Sequence, residues 1–165
     1  MLSDQTFTII KTLPEHGFCF VCGHENPHGI GIIWQARFQQ EQPLADGKFL
    51  PGSVGVMADF QFDKHQQGPP GHAHGGASAA VIDEAMGAVV WQSGHRALLA
   101  HIELDYKLPV PLNAPVRAEA WVEQVAGRKV YARGRILLAD GQIAVVGSGL
   151  YLHSPSFFAS HQQLD

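Results

Sequence analysis

The second half of the chain alternates between apolar and polar residues with a period of two. From residue 98 to 108, the even-numbered side chains are apolar and most of the odd-numbered ones are polar. Such alternation predicts strands that bury one face. Turn signals at Gly127-Arg128 and Asp140-Gly141 separate consecutive strands, as in an antiparallel meander. We therefore predict strands at 98–108, 116–123, 129–138 and 143–153.

A different pattern spans residues 76–92, where Ala, Val, Ile and Met occur on every side and proline is absent. That composition predicts a long helix buried nearly all round, ending at Ser93-Gly94. Two strands are predicted before it, at 29–38 and 56–63, with a loop rich in proline and glycine between them. One buried helix among antiparallel strands is an α+β pattern, in which a curved sheet wraps the helix.

The length of 165 residues is typical of one domain, which we place at 1–165 with a core of about 18–153. Residues 1–16 are weakly patterned and are predicted to form a short helix or an arm on the domain. The polar tail from 154 to 165 is predicted to be loosely held. Both ends are therefore expected to be peripheral to the fold.

Composition and charge exclude several classes of function. Hydrophobic residues make up 45% of the chain and charged residues 16%, which indicates a folded globular protein. The net charge of −4 offers no basic face for nucleic acid or for an anionic membrane. We find no apolar run of membrane-spanning length and no signal-peptide pattern at the start. The expected location is the cytoplasm.

The start of the predicted helix combines groups that suit acyl-group chemistry. His74, Gly75 and Gly76 lie at its first turn, and Asp83 and Glu84 lie within its apolar body. The first turn of a helix has free backbone N–H groups with the helix dipole behind them. Free donors, a histidine and a poised carboxylate are the groups that such chemistry needs. The non-functional alternatives are a histidine that only ends a loop, and glycines that are required only by a left-handed or crowded turn.

The two carboxylates cannot share one role. Asp83 and Glu84 are adjacent, so on a helix their side chains point about 100° apart and cannot both face one cleft. Small apolar residues surround both, and composition alone does not choose between them. The alternative without catalysis is that one is exposed and the other pairs with a histidine.

The only two cysteines are Cys19 and Cys22, in a Cys-x-x-Cys pattern. The functional interpretations are a redox pair, or half of a zinc site with His24 or His28. No strand and helix flank the pair as a redox motif requires, and a second pair of zinc ligands is missing unless two subunits supply the site jointly. We therefore predict a packed, reduced loop and no metal.

Three motifs resemble the signature of the hotdog-fold acyl-CoA thioesterases, in particular the phenylacetate-type and 4-hydroxybenzoyl-CoA thioesterase-like members. Residues 19–31 are also similar to an N-terminal segment of many bacterial members. Each motif is only moderately specific, but their order and spacing together are strong. The motifs are His74-Gly75-Gly76, Asp83-Glu84-Ala85-Met86-Gly87 and Asp105-Tyr106-Lys107-Leu108-Pro109-Val110-Pro111.

The resemblance implies a hotdog fold and a catalytic role for three residues. Asp83 matches the carboxylate that activates water or attacks the thioester, His74 matches the histidine beside it, and the Gly75 N–H matches the oxyanion donor. It further implies a site between two subunits of a homodimer or a dimer of dimers, with no cofactor and with coenzyme A only as part of the substrate. The substrate- and coenzyme-A-binding positions that it implies are Gly76, Leu99, His101, Tyr106, Lys107, Gly127, Arg128 and Lys129.

Two positions depart from the family pattern. Many members have Ser or Thr where this chain has Leu99, and we expect His101 to lie on the same strand face and partly to replace that hydroxyl. An Asn or Gln often stands where this chain has Gly68, and Gln67 is one place off. These departures put rate and substrate choice in doubt more than the class of reaction.

Three functions follow from the resemblance. The leading one is hydrolysis of an acyl-CoA or acyl-carrier-protein thioester. The second is a non-catalytic acyl-CoA-binding or accessory protein, which Leu99 favours and Asp83 opposes. The third, a hydratase or dehydratase on the same fold, uses a different Asp and His arrangement. For coenzyme A binding, Lys107, Arg128 and Lys129 are candidates because its phosphates require basic groups, although all three could be solvated strand ends.

Overall fold

A computed structural model describes residues 7–160 of the protein. The parts of the predicted arm at 1–6 and of the predicted tail at 161–165 lie outside the described residues. The elements in chain order are β1 (Ile9–Thr12), β2 (Gln35–Phe38), β3 (Val54–Phe60), a 3-10 turn (Lys64–Gln66), α1 (Gly75–Gln92), β4 (Ala97–Tyr106), β5 (Val116–Ala126), β6 (Lys129–Leu138), β7 (Ile143–His153) and α2 (Pro155–Ser160).

The seven strands form one sheet in the order β1-β2-β3-β5-β6-β7-β4, with antiparallel neighbours throughout. Helix α1 lies against one face of it and contacts the five strands from β3 to β7. The sheet therefore wraps the helix, which confirms the predicted α+β architecture. Strand β4, which follows the helix in the chain, crosses to the far edge and pairs with β7.

Glycines in β6 and β7 let the helix approach the sheet closely. A Cβ atom at Gly147 would overlap the side chain of Ile82, and one at Gly134 would lie 3.2 Å from the Met86 side chain. Ile82 and Met86 are fully buried and four residues apart, so they mark the face of α1 that contacts the sheet. This packing fixes the rotation of the helix and turns Asp83 away from the sheet.

The N-terminal third differs from the prediction. The predicted strand at 29–38 is confirmed only at β2, because Ile30 and Ile32 donate backbone hydrogen bonds to Phe20 and Val21 rather than joining the ladder. The arm predicted for 1–16 contains strand β1, whose residues pair with β2 and so extend the sheet. Tertiary pairing, not local pattern, decides both outcomes.

The tail is more ordered than predicted. Residues 155–160 form α2, and Phe158 is buried with its ring 5.4 Å from the Trp91 ring in an edge-to-face contact. The aromatic residue anchors this part of the tail on the end of α1. Among the described helices, none is long and apolar enough to cross a membrane.

Candidate functional site

His74 caps the start of α1. Its backbone is extended (φ −64°, ψ 137°), and its Nδ1 accepts a hydrogen bond of 2.8 Å from the Gly76 N–H. In the neutral ring the proton is therefore on Nε2. A Cβ atom at Gly76 would lie 3.0 Å from Nδ1, so a side chain there would crowd the His74 ring. Neither Gly75 nor Gly76 has a positive φ, which excludes the left-handed turn as the reason for the pair.

The Gly75 N–H is left available by this arrangement. The next two N–H groups have acceptors, since Gly76 donates to His74 Nδ1 and Ala77 donates to the His74 carbonyl at 2.9 Å. Within residues 7–160, the Gly75 N–H has no acceptor. Tyr106 donates from its hydroxyl to the Gly75 carbonyl at 2.8 Å and so fixes the first turn against the end of β4. A fixed, free N–H with a helix dipole behind it suits a developing oxyanion.

A cleft of about 330 Å³ opens beside this helix start. Lys107 lies at its rim and forms an ion pair of 3.2 Å with Asp105. Ser78 is buried in its wall and is a lining residue that the sequence did not single out. Ser78 follows Gly75 by three residues, so both lie on one helix face. This spacing is the sequence feature that could have identified Ser78 as a lining residue.

Asp83 lies well away from Gly75 in the same chain. Eight residues at 1.5 Å each separate the two by about 12 Å along the helix axis. The Asp83 side chain reaches solvent but is partly enclosed, and among the described residues no donor contacts its carboxylate. Partial burial of the carboxyl, and to a lesser extent the charge of Glu84, raise the pKa of Asp83 above its usual value. An unpartnered carboxylate with a raised pKa is suited to act as a base.

Glu84, in contrast, is engaged by other side chains. Its Oε1 accepts from Trp34 Nε1 at 3.3 Å, and its Oε2 accepts from the Cys19 thiol at 3.0 Å. In the non-catalytic alternative one carboxylate pairs with a histidine, but Glu84 has these two donors instead. Because Glu84 already has partners, the geometry favours Asp83 as the reactive carboxylate.

Tyr151 is a second residue that the sequence did not indicate. It is buried, and its hydroxyl donates to the Asp83 backbone carbonyl at 3.3 Å. Burial, together with the nearby Asp83 charge, raises the pKa of Tyr151, so the phenol stays protonated and remains a donor. It thereby ties strand β7 to the helix at the level of Asp83.

A bulge in β4 makes the prediction for His101 wrong. Leu99 pairs with Tyr151 and His101 pairs with Leu150, so Ala100 is an extra residue between them. An extra residue reverses the alternation of faces, and neighbouring residues such as Leu150 and Tyr151 point to opposite faces. Leu99 therefore shares the helix-facing side with Tyr151, and His101 is exposed on the other side, where it cannot replace the missing hydroxyl.

The two loop positions before the helix place no amide at its start. A Cβ atom at Gly68 would lie 2.8 Å from His74 Cα, so no side chain fits there. Gln67 is exposed, and its Oε1 accepts from the Gly71 N–H at 3.3 Å within the loop. The Gln67 side chain therefore does not restore the amide contact that family members make near His74.

The predicted coenzyme A positions do not meet in one chain. Tyr106 pairs with Val145, whereas the turn at Gly127 and Arg128 lies beside His153 at the other end of β7. Eight strand residues separate these ends by about 26 Å. Arg128 and Lys129 are exposed, and Gly127 has the positive φ (60°) of a tight turn.

Comparisons with known proteins agree with this fold. The family described as "Thioesterase superfamily" matches residues 70–145. The chain is 38% identical over 81 residues to acyl-coenzyme A thioesterase THEM4 of Xenopus laevis, covering 49% of this chain and 36% of that protein. It therefore spans about a third of the length of this curated relative.

Two solved structures show the same architecture. A thioesterase superfamily protein is 30% identical with a TM-score of 0.69, covering 82% of this chain and 60% of that one. A protein of Streptococcus mutans UA159, solved with bound acetyl-CoA, is 14% identical with a TM-score of 0.58, covering 61% of this chain and 81% of that one. The second likeness concerns the fold alone, and together they confirm the hotdog fold.

Proposed function

We propose that this chain hydrolyses an acyl-CoA or acyl-carrier-protein thioester to a free acid and a thiol, because it has the hotdog fold and its residues 70–145 match the thioesterase superfamily. The observation that carries the proposal is a helix that has a free, fixed N–H at Gly75 and an unpartnered carboxylate of raised pKa at Asp83. Solved relatives that hold coenzyme A or acetyl-CoA support the substrate class.

In the proposed reaction, ionised Asp83 takes a proton from a water molecule whose oxygen attacks the thioester carbon, or Asp83 attacks that carbon itself and forms an anhydride that water then hydrolyses. The carbonyl oxygen gains negative charge and accepts a hydrogen bond from the Gly75 N–H. The C–S bond breaks, and the thiolate leaves and takes up the proton, so that Asp83 is again ionised. His74 acts by holding the Gly76 N–H and so keeping the first turn in place, and no cofactor is required.

The 12 Å between Gly75 and Asp83 supports a site shared by two chains. One thioester group cannot touch both residues of a single helix, since its reacting atoms lie within about 3–3.5 Å of the attacking group. A second copy with its helix antiparallel, related by a two-fold axis beside Ala79, would bring its Asp83 level with this Gly75. The free edge of β4 offers backbone groups for pairing two copies. We propose a homodimer on this basis, with a dimer of dimers as its further assembly.

In the same dimer, we propose that residues of both copies bind the coenzyme A moiety. Lys107 lies at the cleft beside Gly75, where it can face a phosphate. Arg128 and Lys129 lie too far from that cleft in their own chain, so we propose that they contribute from the second copy. Tyr106 belongs to the site through its bond to Gly75.

Release of free thiol from a panel of acyl-CoA substrates tests the reaction. We expect multiple turnovers per chain with at least one acyl group. The second candidate, an acyl-CoA-binding protein without activity, is favoured by Leu99, which provides no hydroxyl on the helix-facing side of β4. Saturable binding of acyl-CoA without thiol release would establish that candidate, and hydration of an enoyl-CoA without thiol release would establish a hydratase.

Heterodimers of two inactive variants test the shared site. We expect a dimer that combines one Asp83→Asn chain with one Gly75→Pro chain to have about half of the wild-type activity, because one of its two sites is intact. Co-expression with two different tags and sequential affinity purification isolates this species, and thiol release measures its activity.

The matched control combines a wild-type chain with a chain that carries both substitutions. In a shared site this control is nearly inactive, because each site then has one defective contribution. If each chain forms its own site, the two results are exchanged, and the shared-site model is wrong.

A further inference from the structure

The N-terminal segment and helix α1 bring four potential metal ligands together. His16 Nδ1 lies 3.4 Å from Cys22 Sγ, and Cys19 Sγ lies 3.0 Å from Glu84 Oε2. The ligand atoms of His16, Cys22 and Glu84 all lie within 4.8 Å of one another. His24 and His28, which the sequence offered as alternative zinc ligands, do not belong to this cluster, and His24 instead pairs with Glu15 at 2.7 Å. We refer to His16, Cys19, Cys22 and Glu84 as the His-Cys-Cys-Glu cluster.

Two separations within the cluster match those of a tetrahedral zinc ion. Cys19 lies outside the group of ligand atoms that are all within 4.8 Å of one another, so it completes the set only by moving closer to the other ligands. Bonds of about 2.3 Å to sulfur, and of about 2.0–2.2 Å to nitrogen and oxygen, place neighbouring ligand atoms of a tetrahedron about 3.5 Å apart. The distances of 3.4 Å and 3.0 Å between ligand atoms lie close to that value. Two thiolates, an imidazole and a carboxylate are also the donor types that zinc accepts.

The surrounding groups orient these ligands before any ion binds. The Val21 N–H points to Cys19 Sγ at 3.4 Å, and the Gly23 N–H donates to the Cys19 carbonyl at 3.1 Å. A Cβ atom at Gly23 would overlap the backbone of Gly17 and Cys19, so the loop can pack this closely only with glycine at this position. Donors that fix the orientation of a ligand are a regular part of metal sites.

The Glu84 carboxylate is divided between two environments. Its Oε1 accepts from Trp34 Nε1, which leaves Oε2 directed at the cysteines. Trp34 and Cys22 are buried, and Cys19 is half-buried. A carboxylate held against two thiols in a partly buried site has a favourable partner if a divalent cation lies between them.

We propose that His16, Cys19, Cys22 and Glu84 bind one zinc ion, which fastens the N-terminal segment to helix α1. All four positions are filled by protein, so the site is closed and structural rather than catalytic. It departs from our sequence prediction of no metal because Glu84 is distant in the chain and His16 precedes the cysteines. The proposal does not depend on the hydrolytic activity.

Metal content of the purified protein provides the first test. We expect on the order of one zinc ion per chain, and a loss of at least about tenfold in Cys22→Ser. His24→Gln is the matched control, because it removes an exposed histidine of the same segment that is outside the cluster, and it should keep its zinc. Zinc retained in full by a Cys19→Ser/Cys22→Ser double variant would overturn the proposal.

A second test uses the wild-type chain and does not depend on how the variants fold. Chelated protein titrated with cobalt(II) should develop a thiolate-to-cobalt charge-transfer band and visible d–d bands at a ratio of one ion per chain. Thiol titration of the unfolded wild-type protein shows whether the cysteines are reduced. A Cys19–Cys22 disulfide in the isolated protein, or reduced thiols that give no cobalt–thiolate band, would show that the cluster does not hold a metal.

Discussion

The Asp83→Asn variant is expected to lose at least about a hundredfold in kcat for thioester hydrolysis, as occurs when a general base or nucleophile is removed. The side chain has no donor among the described residues, so the amide breaks no hydrogen bond that the fold needs. Initial rates of thiol release at saturating acyl-CoA measure the effect. Glu41→Gln, which removes a charge from an exposed loop, is the control and should keep its rate.

Stability and pH dependence separate this role from a structural one. Because the folded-state pKa of Asp83 is raised, folding is favoured when the group is protonated, and that contribution is lost as pH rises through the folded pKa. At neutral pH, the neutral Asn variant should therefore melt no lower than the wild type. The wild-type kcat/KM should rise with pH and level off above the raised pKa, since the ionised carboxylate is the active form. Near-normal turnover of Asp83→Asn, together with a Glu84→Gln variant that is inactive but keeps the wild-type melting temperature, would mean that the other carboxylate is the reactive one.

Gly75→Pro should reduce kcat by about a hundredfold to a thousandfold, the usual effect of removing one oxyanion donor. Proline deletes the N–H, and the first helical position is where proline is best tolerated. His74 already has the extended backbone that a residue before proline requires. The substitution thus removes a single hydrogen-bond donor at a site where the backbone can accept the ring.

Gly75→Ala is the matched control for this variant. It keeps the N–H, and its Cβ atom would lie 3.4 Å from the exposed Tyr106 ring, an ordinary contact. We expect the alanine variant to keep most of its activity, measured with the same substrate and with the melting temperature of each protein as a check on folding. Equal losses for Ala and Pro would indicate that the cleft beside Tyr106 needs the space, and the oxyanion role would then be wrong.

The sequence predicted the parts of the fold that local pattern determines. Helix α1 and strands β5 to β7 follow from apolar periodicity and from turn residues, both of which are visible within a short window. Strand β1 and the irregular segment before β2 depend on backbone partners elsewhere in the chain, so their local patterns were misleading. The β4 bulge was hidden because Leu98 and Leu99 are both apolar, which leaves the buried face of the strand undefined.

Local pattern likewise predicted only the part of the candidate site that lies on one helix. His74, Gly75 and Asp83 lie on one helix, and the glycine pair marks its start in the sequence. The contacts that give these residues their environment join distant positions, such as Tyr106 with the Gly75 carbonyl and Cys19 with Glu84. No spacing rule reports such contacts, because the chain between them must first fold.

The strand order has a kinetic consequence. Strand β3 pairs with β5 across the whole of α1 and β4, and β4 in turn pairs with β7 rather than with a neighbour in sequence. Two of the pairings that enclose the helix therefore close loops of several tens of residues, and their entropy cost comes before any burial of α1 compensates for it. Folding of such a chain belongs to the slow, high-contact-order regime of milliseconds to seconds. During that interval the apolar sides of α1 are exposed, which makes early intermediates the state most prone to aggregate.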